Sequence, residues 1–170
     1  MKAISLHQPW ASLVMVGRQL WETRSWPTDY RGVLAIHAGK TLPPYALEFC
    51  REFDGELAAV GIHDVTALPL GAVLGCVRLT GCIKTDGPEA RRLGERAKAW
   101  GNWEPGRYAW RLEGPAPYGA PVPARGMRGL WDWTQPGEPV DRSAPAAPDA
   151  SPSLTTAKWP HTSARQGRLL

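Results

Sequence analysis

Glu22 and Arg24 stand two residues apart in the stretch WETRS, and Lys40 closes the stretch IHAGK further on. Residues two apart on a strand share a face, so the carboxylate and the guanidinium project together. That pairing offers an acceptor for the N–H donors of a base edge and a bidentate donor for phosphate. It serves equally as a brace, because an isolated charge on a buried face is costly and a hydrogen-bonded pair is tolerated. Gly39 lets the backbone approach a ligand, and Lys40 after it can act as a phosphate-binding charge or, if desolvated, as a base or nucleophile. Its ammonium is expected to face the same cleft as Glu22 and Arg24. His37, in the same strand as Gly39's approach, reads first as a satisfied core histidine and second as a ligand contact.

Other residues extend the set. Trp10, in QPW, falls in the first turn of a helix, where it either packs in the core or forms a stacking platform for a base. Trp26, Tyr30 and Arg31 belong to the loop WPTDYRG, and Trp26 and Arg31 are counted as ligand contacts. Arg125 and Arg128 flank glycines in ARGMRG, a loop suited to phosphate. The basic run RRLGERAK, with Glu89 and Glu95 around it, reads as a solvated helix face. His7 and His63 have no carboxylate or cysteine at ligand spacing, so no metal is assigned, and no motif calls for a cofactor.

These residues sit in a chain of 170 residues, 43% hydrophobic and 21% charged, long enough to bury a core. Its apolar runs are too short to cross a bilayer, and its first ten residues lack the apolar stretch of a signal peptide. No membrane association is expected. Cys50, Cys76 and Cys82 are odd in number with no C-x-x-C pair, which speaks against a disulfide scaffold and for a reducing cytoplasm. The net charge of +4 permits a polyanionic partner without demanding one. Most of the nine tryptophans are expected in the core, but their spread leaves room for some to line a recess where flat ligands stack.

Hydrophobic periodicity divides the chain into a domain, residues 1–135, and a tail, residues 136–170. The tail is rich in Pro, Ala and Ser, and its four basic and three acidic residues give it no nucleic-acid character, so it reads as disordered. Within the domain KAISL reads as a strand, QPWASLVMVG as a helix capped by Gly17, and WETRS as a strand. VLAIHA, nearly all apolar, predicts a strand buried on both faces. PPYALEFCREF predicts a helix, AVLGCVRLTGCIK a long strand bent at glycines, PEARRLGERAKAW a surface helix, and RYAWRLE and GLWDW two further strands. The fold expected is α+β, a small and mostly antiparallel β-barrel with helices packed over its openings.

The ordered set QPWA, ETRSW, YRG, IHAGK and GLW, spread over residues 1–133, resembles the ASCH family, whose members have a PUA-like barrel. The resemblance implies an RNA-related role, because PUA-like domains bind RNA or modified bases. Single-stranded RNA, a nucleotide or a modified nucleoside is the implied partner, recognised through base and phosphate. The family also includes ribonucleases and small amidohydrolases of N4-acetylcytidine. A metal-independent enzyme is therefore the alternative, with Glu22, Tyr30 and Lys40 as its candidate catalytic groups. The family segment reads G-x-K-x-x-E-x-R, and here Gln19 replaces the lysine while Glu22 and Arg24 match. The amidohydrolases use that lysine with a threonine three residues later, where this chain has Glu22. Glutamine supplies neither a base nor a cation, which favours binding over hydrolysis.

Overall fold

The computed structural model describes residues 1–136, so the tail from residue 137 onward lies outside the described residues. Six strands form one curled sheet, a half-barrel. In chain order the elements are β1 (Lys2–Leu6), α1 (Trp10–Met15), β2 (Trp21–Arg24), β3 (Gly32–Ala38), α2 (Pro44–Glu52), α3 (Asp54–Ala58), β4 (Ala72–Lys84), α4 (Pro88–Arg91), α5 (Glu95–Lys98), β5 (Tyr108–Pro123) and β6 (Leu130–Asp132). The sheet order is β2-β5-β4-β3-β1-β6. Every pairing is antiparallel except β1 with β3, which run parallel because α1 and β2 form the crossover between them.

The local chemistry accounts for most of these elements. Gly17 adopts φ 70° just beyond α1, the left-handed conformation that ends a helix without steric cost. The other end of α1 is capped from outside the helix. Gln8, fully buried, accepts from Ser12 N at 3.1 Å and donates to the Pro69 carbonyl at 2.9 Å. Residues Leu34–Ala38 of β3 are all buried, as the apolar run predicted. Leu34 and Ile36 join Ile4, Leu74, Leu79 and Trp110 on one face of the sheet, where α1 packs, while Ala35 meets Ala3, Val73, Trp131 and Trp133 on the other. Each large side chain buried in this way contributes about 1.5–3 kcal/mol.

Two elements differ from the expectation. The predicted surface helix over 88–100 is broken at Gly94 into α4 and α5, each a single turn. β5 runs far past RYAWRLE, through four prolines to Pro123. Proline removes a ladder donor, which is tolerated where the ladder is already irregular. The β4–β5 register shifts between Val73 and Gly75 and again between Cys76 and Arg78, opposite the proline-rich half of β5.

Gly75 lets those strands close. A Cβ there would lie 2.6 Å from Pro117 Cα and 2.8 Å from Met15 Sδ, and would also clash with the Ala116 carbonyl. Backbone cannot yield as a side-chain tip can. Gly75→Ala is expected to lower stability by about 1–3 kcal/mol in urea denaturation, the usual scale of overpacking.

Candidate functional site

A cleft of about 520 Å³ opens beside the end of β1, between β2, α2 and the segment that follows α5. At its polar floor the strand periodicity works as anticipated. Arg24 Nε lies 3.2 Å from Glu22 Oε1, an ion pair without the alignment of a hydrogen bond. Gln19 Nε2 donates to Glu22 Oε2 at 2.8 Å, and Arg24 Nη2 donates to the Ser5 carbonyl at 2.7 Å. The Glu22 side chain is only 12% exposed. Burial pushes its carboxyl above the usual range, against the pull of Arg24, Arg107 and the Gln19 amide.

Gln19 thus stands where a lysine would carry charge. It supplies a neutral donor to the carboxylate, while its own buried Oε1 finds no partner among the described residues.

The walls are aromatic. The Trp10 ring lies 4.9 Å from Phe49 and 5.9 Å from Tyr45, centroid to centroid, and His7 meets Tyr45 edge-on. Trp10 Nε1 donates to the Trp100 carbonyl at 2.8 Å, tying the helix α1 side to the opposite wall. That wall is fixed to β2 in turn. Asn102 N donates to Thr23 Oγ1 at 3.0 Å, and Arg107 donates to the carbonyls of Thr23 and Asn102. One face of Tyr45 stays open, since the residue is 53% exposed.

Of the residues singled out in the sequence, the cleft gathers Trp10, Glu22 and Arg24, with Gln19 beside them. The others lie elsewhere. Trp26 packs edge-on against Trp110 at 4.6 Å, at the margin of the main core. Tyr30 rests against the same core with its hydroxyl donating to the Val33 carbonyl at 2.6 Å, and burial raises its pKa. Arg31 turns back on its own loop, donating to the carbonyls of Thr28 and Tyr30. His37 is buried, with Nδ1 at 3.1 Å from Ser5 Oγ and Nε2 at 3.1 Å from the Ala124 carbonyl, and burial lowers its pKa. Arg125 and Arg128 are exposed on the connection into β6, which is held by Ser5 Oγ donating to the Met127 carbonyl.

Lys40 departs most from expectation. Its stem lies against Gly71, where a Cβ would be 2.9 Å from Lys40 Cγ, and it is not among the residues lining the cleft. The backbone decides this. Gly39 N donates to the Leu6 carbonyl and Gly71 N to the Gly39 carbonyl, which directs the chain after β3 toward the start of β4. Glu22, Tyr30 and Lys40 therefore do not form one constellation. The sequence also gave no sign of Ser5, His7, Tyr45, Phe49, Asn102 and Arg107 as cleft residues. Arg107 could be found only from the register that sets its neighbour Tyr108 opposite Arg24.

Among the described residues no group of three or more His, Cys, Asp or Glu gathers as a metal site, and no helix is long and apolar enough to cross a membrane.

A curled half-barrel with a charged, aromatic-walled cleft against its edge strand β2 makes this an α+β domain. Residues 4–120 match the model of the ASCH domain, and the chain belongs to that family. It is 38% identical over 81 residues to Activating signal cointegrator 1 of Mus musculus and 37% identical over 81 residues to that of Homo sapiens. In each case the match takes in 47% of this chain and 14% of the relative, so the chain spans a small part of either protein. The crystal structure of ASCH from Zymomonas mobilis aligns with a TM-score of 0.48 at 14% identity, covering 79% of this chain and 87% of that one.

Proposed function

We propose that this ASCH domain binds RNA or a nucleotide, with a base against the aromatic wall and a phosphate on the arginines. The family, in which RNA binding is known, supports the general class. The observation that carries the finer reading is the Glu22–Arg24 pair, held at 3.2 Å in the same recess as Trp10 and Tyr45. A flat ring entering that recess meets an aromatic surface and a carboxylate acceptor together. Nη1 of Arg24 and Nη1 of Arg107 have no hydrogen-bond partner among the described residues, which leaves each a donor for phosphate oxygens. Arg125 and Arg128 serve in this reading as outlying phosphate contacts.

Fluorescence anisotropy with labelled single-stranded RNA, in the presence of chelator, tests the reading. Affinity is expected to fall steeply as salt rises, because each phosphate contact releases counterions. Tyr45→Ala is expected to weaken binding by about 1–3 kcal/mol, the scale of one stacked base. Because the ring is exposed, the melting temperature should hold. Affinity that is flat with salt and indifferent to Tyr45 would exclude the cleft as the binding site. Cleaved RNA, or cytidine released from N4-acetylcytidine under the same conditions, would establish the enzymatic alternative instead.

A further inference from the structure

We propose that the ligand is a strand and not a lone nucleotide, and that the segment from Pro88 to Lys98 carries the phosphates flanking the base in the cleft. The inference rests on the cleft reading above and adds to it the class of ligand.

The segment is rich in charge and short of partners. It holds four basic residues, Arg91, Arg92, Arg96 and Lys98, against Glu89 and Glu95. Had it formed one continuous helix, these glutamates would face arginines three or four positions away and pair with them. The break at Gly94 leaves two single turns, and among the described residues neither Arg92 nor Arg96 makes a salt bridge or a side-chain hydrogen bond. Both are exposed. Arg91 is held differently, donating to the Asp86 carbonyl at 2.9 Å, and Lys98 Nζ lies 5.9 Å above the Trp103 ring.

Placement gives the charge its meaning. The segment runs directly into Ala99–Asn102, the wall of the cleft. That wall is fastened by Trp10 Nε1 to the Trp100 carbonyl and by Asn102 N to Thr23 Oγ1. The unpaired arginines are thus carried on a short, anchored extension of the binding recess. A mononucleotide seated at Arg24 and Arg107 has no phosphate left for them, whereas a strand has its next phosphates there. A solvated basic face would be free to lie anywhere on the surface, and this one continues the cleft wall.

The test uses the full chain and the double variant Arg92→Gln/Arg96→Gln, neither of which touches the cleft. Binding of a 12-nucleotide single-stranded RNA and of a nucleoside monophosphate is measured at several salt concentrations. For the 12-mer the variant is expected to bind roughly 5- to 30-fold more weakly at low salt, with the logarithmic salt slope shallower by about 1.4, two released phosphates at about 0.7 each. Monophosphate affinity should not change. An unaltered 12-mer affinity and slope would overturn the inference, as would wild-type affinity for the monophosphate equal to that for the 12-mer. Either result leaves the cleft reading standing. Equal losses for both ligands would place the arginines' effect in the cleft or the fold and overturn it too. Polyglutamate or anionic vesicles bound as tightly as RNA would reassign the surface to another partner. Wild-type protein that binds neither nucleic ligand would remove the cleft reading, and this inference with it.

Discussion

Arg24→Ala is expected to lower unfolding free energy at neutral pH by about 2–4 kcal/mol, somewhat less than the roughly 3–5 kcal/mol for breaking a fully buried ion pair. The reduction from the full range reflects exposure, since 24% of the Arg24 side chain reaches solvent and partly screens the pair. The substitution removes the opposite charge 3.2 Å from the Glu22 carboxylate and the donor to the Ser5 carbonyl together. Gln19 remains, but one neutral amide does not compensate a desolvated carboxylate. Without its cation Glu22 relieves its own cost by taking up a proton, so the loss should shrink as pH is lowered. Urea denaturation of both proteins at pH 7.5 and pH 4.5 measures this. A loss of the same size at the two pH values would show that Arg24 acts through packing alone.

Glu22→Gln separates stability from binding at the same position. Burial is the largest influence on Glu22 and raises its pKa above the ordinary 4.5, so the native state holds this proton more tightly than the unfolded chain. The sign follows directly. Stability from this group is fully present below the unfolded pKa and falls as pH rises through the folded one. Glutamine keeps the neutral form at every pH. The variant should therefore equal or exceed the wild type in melting temperature at pH 7 and lose this part of the pH dependence. Binding should move the opposite way. An amide in place of the carboxylate turns an N–H₂ group toward ligand donors, and the expected loss is about 2–5 kcal/mol, the scale of a desolvated charged partner removed. Isothermal titration with single-stranded RNA reads the affinity and scanning calorimetry the stability. A variant that binds as well as the wild type would remove Glu22 from recognition and leave it a brace for β2.

Such a trade between stability and binding is common where a fold retains a costly group for its ligand. In the proposed reading the neutral Gln19 also suits its position. A lysine there would neutralise Glu22 further and compete with a ligand's donors for the same oxygens, whereas the amide orients the carboxylate through one bond and leaves its charge to the site.

What could be read from residues alone was whatever depends on near neighbours. The strand spacing of Glu22 and Arg24, the glycine that ends α1, the burial of Leu34–Ala38 though not of Val33 before them, and the α+β class follow from side-chain period and backbone sterics, which act over a few residues. At Gly94 the low helix propensity of glycine is itself a local sign of the break, whereas the length of β5 depends on its pairing with β4, which overrides local propensity. The cleft belongs to that second kind. Trp10 meets Trp100 across ninety residues of chain and Arg107 meets Thr23 across eighty-four, contacts that only long-range strand register brings about. Lys40 shows the same limit from the other side. The glycine before it permits either direction, and two backbone hydrogen bonds, to Leu6 and from Gly71, turn it away from the cleft. Local sterics determined which residues share a face, and the tertiary hydrogen-bond network decided which faces enclose a site.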